Sequence, residues 1–190
     1  MDGGSREFQD HTRSLSDIFL FVRCDMVMAT ADVCSVRLAR SEDLDQLCEC
    51  WWMLVEEQNA FDLRAIPTEE NRRRARIFLR DRILRGWMFV ASRDSDVIIG
   101  IGTMSRDEFF LSGGPDIWNV ADIWVRPEHR REGIASHLMA HIEKEAARRG
   151  ATKLRLSVYA ENVAANELYD DIEYTPLMHT LEKSLQEFSS

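Results

Sequence analysis

The chain has 190 residues, a formal net charge of -9 and 45% hydrophobic residues. This length suits one globular domain with a sizeable core, and the composition excludes a disordered chain. The acidic balance argues against generic nucleic-acid binding, which needs a basic surface. No apolar run approaches the roughly 20 residues that cross a bilayer, so no membrane span is expected.

Residues 1–32 read as a loosely held N-terminal extension, apart from a domain over 33–190. Met26 and Met28 stand just before the first convincing strand, and a short helix over 16–23 is the other reading. No basic start leads into a clean apolar core and a small-residue cleavage site, so a cytoplasmic location is expected. Residues 33–38 alternate as a strand. Ser41 suits a helix cap, with Glu42, Asp43 and Asp45 near the positive end. Leu44, Leu47, Cys48, Trp51 and Val55 then recur at helical spacing.

Pro67, Thr68, Glu69 and Glu70 open a second helix through Ala75, Phe78, Leu79 and Ile83, and Gly86 marks its stop. Seven arginines crowd it: Arg72, Arg73, Arg74, Arg76, Arg80, Arg82 and Arg85. They read either as a solvated face paired to Glu69, Glu70 and Asp81, or as a grip on an anion. Apolar runs at 87–92 and 97–105 flank Arg93-Asp94-Ser95-Asp96, a hairpin signal. Ile117–Val125 is the next strand, and a long amphipathic helix covers 133–149. A strand over 153–158, a short helix over Val163–Asp171 and a terminal strand over 176–185 complete the chain. The order predicts a mixed α/β sheet, partly parallel, flanked by helices.

Cys24, Cys34, Cys48 and Cys50 lack the spacing of a zinc site or a CxxC pair, so free thiols are expected. His137 and His141 lie four apart on a helix without an HExxH pattern, and no metal site is predicted.

The chemistry concentrates in Val125-Arg126-Pro127-Glu128-His129-Arg130-Arg131-Glu132-Gly133-Ile134-Ala135. A strand ends there and a Gly-containing loop enters a long helix. Such a loop offers backbone N–H groups and the positive end of a helix to an anion. Gly133 removes a Cβ from the approach, and Arg130 and Arg131 add charge. The segment carries neither a Walker loop nor GxGxxG.

Arg130-x-x-Gly133-x-Ala135 resembles the acetyl-CoA pyrophosphate loop of the GNAT acetyltransferase superfamily. Asn162-Val163-Ala164-Ala165-Asn166-Glu167-Leu168-Tyr169 resembles that family's NxxAxxLY element, and it follows a strand as the family requires. The strong resemblance covers about Ile117 to Tyr174. It implies a GNAT-like acyl-CoA N-acyltransferase fold with a central splayed mixed sheet. It also implies acetyl-CoA as co-substrate and an amine as acceptor, with no metal.

On this resemblance, backbone groups of Ile123 and Val125 would pair with pantetheine. Arg130 and the amides of Arg131, Gly133, Ile134, Ala135 and Ser136 would hold the diphosphate. Asn162 would touch the cofactor arm, though its position equally suits a helix N-cap. Tyr169 would protonate the departing thiolate, or serve as a core tyrosine. Asp122 is a candidate base or a structural acceptor, with Asp116, Glu56 and Glu57 as rivals. Glu173 stands where the family has glycine, a costly occupant if that turn needs a positive φ. A non-catalytic acyl-CoA-binding domain is the alternative function, and a homodimer stays open.

Overall fold

In a computed structural model the protein is described over residues 34–93, 97–108 and 113–183. The extension over 1–32, the helix considered at 16–23 and the hairpin turn at 94–96 lie outside the described residues. The elements run β1 (Ser35–Leu38), α1 (Leu44–Gln58), α2 (Glu69–Leu84), β2 (Met88–Ser92), β3 (Ile98–Arg106), β4 (Ile117–Val125), α3 (Ile134–Arg148), β5 (Lys153–Arg155) and α4 (Val163–Asp171). The strands form one sheet in the order β1-β2-β3-β4-β5. β1 to β4 are antiparallel neighbours, and β5 joins β4 in parallel.

Each face of the sheet is covered by helix. Leu47, Cys50 and Leu54 of α1 and Leu79 of α2 pack against Met88, Val90, Ile101 and Trp124. On the opposite face α3 buries Ile134, Leu138, Met139, Ile142 and Ala146, an apolar stripe at helical spacing. Glycines in β3 set how close α3 lies. A Cβ at Gly102 would stand 2.7 Å from Ile123 Cδ1 and 2.9 Å from Ile142 Cδ1. Since α3 follows directly from the Gly133 loop, this contact also fixes the loop's height above the sheet.

Local reading is corrected in three places. Ser41 does not cap α1; it begins a short 3-10 turn, Ser41–Asp43, and Asp43 is the anchor. The buried Asp43 carboxylate accepts both arms of Arg37, at 2.7 and 2.9 Å, and the Arg40 N–H at 2.6 Å. The Arg37 hydrogen bonds hold its carboxyl below the usual range. The strand expected over 153–158 ends at Arg155. The terminal strand expected over 176–185 is absent from its described part, 176–183. Leu177, Met178 and Leu181 are exposed there, so burial gives that segment no reason to pair.

The second helix meets the expectation more closely. Thr68 Oγ1 accepts the Asn71 N–H, and the chain leaves α2 through Gly86 at φ 63°. Arg149 at the end of α3 donates to the Gly86 carbonyl at 2.8 Å, tying the ends of the two helices together.

Gly102→Ala should destabilise the fold by about 1–3 kcal/mol through overpacking against Ile123 and Ile142. Denaturant unfolding measures this. A loss under about 0.5 kcal/mol would mean that α3 slides away freely.

Candidate active site

Three pairs hold β5 to β4: Ile117 with Lys153, Trp118 with Leu154 and Asn119 with Arg155. Beyond Asn119 the β4 edge has no strand beside it among the described residues. Arg126 N–H donates to the Ile99 carbonyl at 2.9 Å, and Val125 faces Gly100 across the ladder. In an antiparallel pair the backbone groups alternate in direction. The Val125 N–H and C=O therefore face the open edge. The Val125 carbonyl accepts Arg130 Nε at 3.0 Å.

Between Ile101 and Thr103 the register slips, so β4 carries one extra residue. Asp122 lies in that bulge with φ 55°. Bulges re-aim a side chain, and here the Asp122 carboxylate accepts Thr103 Oγ1 at 2.9 Å. Thr103 is buried on the face covered by α1 and α2. Desolvation pushes the Asp122 carboxyl up. The Thr103 hydroxyl, the Arg82 charge and the nearby Trp51 indole oppose that shift without cancelling it. The Trp51 N–H itself makes no hydrogen bond.

The rival bases have other engagements. Glu57 accepts Trp124 Nε1 at 3.1 Å and both contacts of an Arg130 nitrogen, at 2.6 and 2.8 Å. Asp116 takes the Arg106 fork at 2.8 and 3.1 Å. Glu56 is exposed on α1. Arg130, expected at an anion, thus braces the loop against the end of α1. The sequence could not reveal this contact, because Glu57 lies 73 residues away.

Past the turn Pro127–His129, Arg131 adopts φ 65° and Gly133 φ 78° before α3 begins. Among the described residues, the backbone N–H groups of Arg131, Glu132, Gly133, Ile134, Ala135 and Ser136 donate to no protein acceptor. Left-handed residues in such a turn make successive N–H groups converge, and the start of a 15-residue helix adds partial positive charge. A Cβ at Gly133 would meet no protein atom within 4 Å. The open space and unpartnered donors fit a diphosphate.

α4 flanks this loop. Arg131 and Glu167 approach to 3.6 Å, both exposed, so their pairing adds little stability. Asn162 Oδ1 accepts the Ala165 N–H at 3.2 Å, the N-cap role considered from the sequence. Asn166 Nδ2 donates to the carbonyls of Tyr159 and Asn162, fixing the entry to α4. Tyr169 is half-buried beside Tyr174, with ring centroids 6.0 Å apart. Burial pushes its hydroxyl pKa up. Glu173 adopts φ 67°, the conformation that a glycine would take more readily. Tyr169 and Asp122 are not hydrogen-bonded to each other; they stand on α4 and β4.

One contact was invisible in the sequence. Tyr159, after β5, donates to Asp62 at 2.7 Å and stacks on Phe61, with centroids 5.8 Å apart. It links the α1–α2 connection to the segment leaving β5. Hydrogen bonds from Arg64, then from Tyr159, hold the Asp62 carboxyl well below the usual range.

Residues 50–174 match the acetyltransferase (GNAT) family. A stretch of 50 residues is 38% identical to acetyltransferase SG1711 of Sodalis glossinidius (strain morsitans), covering 26% of this chain and 35% of that protein. The match thus spans about a third of that curated relative's length. The fold is similar to that of a GCN5-related N-acetyltransferase from Ralstonia eutropha JMP134, with a TM-score of 0.64 and 19% identity over 80% of this chain and 98% of that one. It is also similar to AAC(6')-Iy in complex with the bisubstrate analog CoA-S-monomethyl-acetylneamine, with a TM-score of 0.63 and 14% identity over 80% and 98% of the two chains. Both likenesses show the fold.

Gly133→Val should weaken acetyl-CoA binding at least about tenfold, since a branched side chain would stand before the free N–H groups. The fold should survive, because no protein atom is displaced, but a β-branched residue at φ 78° strains the loop and should lower the melting temperature somewhat. Calorimetry reads the affinity and thermal melting the fold. Unchanged affinity would remove the loop from the site.

Proposed function

The chain belongs to the acetyltransferase (GNAT) family, and we propose that it moves an acetyl group from acetyl-CoA to an amine by direct attack on the thioester. The observation that carries this reading is the set of unpartnered N–H groups from Arg131 to Ser136, next to the open edge of β4. The loop would hold the diphosphate. The edge at Ile123 and Val125 would receive the pantetheine arm, with Asn162 and the start of α4 on the far side.

The acceptor nitrogen attacks the thioester carbonyl carbon, and Asp122 takes the proton that it sheds, directly or through one water. Backbone N–H groups at the β4 bulge stabilise the developing oxyanion. The C–S bond breaks, the N-acetylated amine departs, and the coenzyme A thiolate receives a proton from Tyr169. Solvent restores the tyrosine proton.

The pKa order limits the last step. A tyrosine whose pKa burial pushes up is protonated at neutral pH, but it donates uphill to a thiolate, because thiols are ordinarily more acidic than phenols. Its main contribution is a hydrogen bond that strengthens as charge collects on sulfur. The raised Asp122 carboxyl is a better proton acceptor than an ordinary aspartate, provided that it is ionised.

Tyr169→Phe should lower kcat by about 10²-fold, the low end for a positioned acid, with acetyl-CoA affinity and melting temperature nearly unchanged. Thiol release with an accepted amine, chemistry being rate-limiting, measures it; full activity would sink the acid role. Asp122 must lose its proton to work, so kcat/KM should fall as pH drops through a pKa above the ordinary aspartate value of about 3.9. Asp122→Asn keeps the Thr103 contact and tolerates the left-handed backbone. It should abolish that acidic limb; an unchanged pH profile would make Asp122 structural. Acetyl-CoA binding without thiol release across an amine panel would favour a non-catalytic binding domain.

A further inference from the structure

Of the seven arginines on α2 and at its end, four are answered by carboxylates. Arg73 and Arg74 approach Glu69 and Glu70 at 4.0 and 3.0 Å, Arg76 meets Asp45 at 2.7 Å, and Arg85 meets Asp81 at 2.9 Å. Arg72 and Arg80 lack such a partner but are exposed, so water serves them. Arg82 is different. It is half-buried, and among the described residues its guanidinium forms neither an ion pair nor a hydrogen bond.

Its guanidinium lies 4.6 Å from the Phe78 ring centroid and 5.1 Å from that of Trp87. Aromatic faces attract the cation and fix its plane, but they leave its N–H edges unused. A partly desolvated cation with free donors is unfavourable unless something binds there. Arg82 lines an open concavity of about 340 Å³ with Trp87, Ser105 and Arg106. Arg106 is already held by Asp116 and Arg85 by Asp81. Glu108 also lines the opening without pairing to Arg82. Ser105 lines the opening, and Thr103, which holds Asp122, lies two residues along β3, so the two side chains stand on one face of the sheet.

We propose that Arg82 binds a carboxylate on the acceptor, making the substrate a small amino acid-like molecule whose amine is presented to Asp122. This rests on the acetyl-transfer reading and deepens it by naming the acceptor class. One fork matches one carboxylate in two parallel hydrogen bonds. A dianionic phosphate fits less well, because Asp81 and Glu108 already stand at the opening. The two-residue step on β3 from Ser105 at the opening to Thr103 at Asp122 keeps carboxylate and amine on one short skeleton.

The test uses the full chain with acetyl-CoA, L-amino acids and their C-terminal amides, followed by thiol release. The wild-type protein should prefer acids over matched amides roughly 10- to 100-fold in kcat/KM, as expected for charge-assisted hydrogen bonds. Arg82→Gln should remove that preference by raising KM for the acids and not for the amides, with acetyl-CoA affinity nearly unchanged. It is read at a pH above the Asp122 limb, because losing the Arg82 charge pushes that carboxyl further up. Arg82→Lys should restore only part of it, since the charge returns without the fork. Amides used as well as acids by the wild type would overturn the proposal. So would equal losses on both classes in Arg82→Gln, or acetyl-CoA binding with no turnover of any acid. Failure to bind acetyl-CoA would instead overturn the acetyl-transfer reading itself.

Discussion

Only Ile117, Trp118 and Asn119 of β4 are paired with β5. A backbone N–H or C=O removed from water requires a partner, so a strand edge left open inside a sheet is stable only where solvent or a ligand can enter. The consequences spread from that edge. Val125 turns its polar groups outward, and Arg130 reaches back to its carbonyl. The Glu57 carboxylate then fixes Arg130 and the Trp124 indole together. The end of α1, the end of β4 and the loop before α3 are therefore joined through one set of side-chain contacts. A parallel strand running the full length of β4 would cover the groups that this architecture keeps available.

The two sheet faces divide the chemistry. α3 packs closely on β3 because Gly102 has no side chain, and this brings the Arg131–Ser136 amides to the edge from one side. The other face carries α1 and α2, and the bulge turns Asp122 toward them. An acyl carrier anchored at the loop and an acceptor lodged under α2 would thus meet at β4 from opposite sides. A chain of net charge -9 still keeps a half-buried cation, Arg82, on the face covered by α1 and α2. Overall charge governs encounter and solubility, while recognition depends on the few groups that face the cavity.

Much of this was legible in the sequence because the informative signals are local. Hydrophobic spacing marks α1, α2 and α3, and β4 and α4 fall on the residues expected of them. The Arg130–Ala135 loop and the Asn162–Tyr169 element are each a few residues long. What stayed hidden is non-local. Ser41 looked like a cap because Ser suits one, but Asp43 wins by receiving the Arg37 fork as well. A terminal strand is expected over 176–185, and only the exposure of Leu177, Met178 and Leu181 reveals that its described part has no surface to pair with. Arg82 stands apart from its six arginine neighbours only once four of them are matched to carboxylates and Arg72 and Arg80 are seen to be exposed.

Backbone strain gathers at the same borders. Among the described residues, three non-glycine positions have positive φ: Asp122 in the bulge, Arg131 in the loop and Glu173 after α4. Each costs about 1–2 kcal/mol against a right-handed backbone. Such outliers persist where the surroundings over-determine them. Thr103 holds Asp122, and the Tyr174 N–H bond to the Tyr169 carbonyl at 2.9 Å closes the turn through Glu173. At Glu173 the family's glycine is replaced and the left-handed turn remains, so the turn is imposed by the chain around it. Arg131 has no comparable internal brace; its ion pair is exposed. Its left-handed geometry is instead what aims consecutive N–H groups at one point. A bound anion would supply the missing partner, so binding and relief of an unsatisfied loop become the same event.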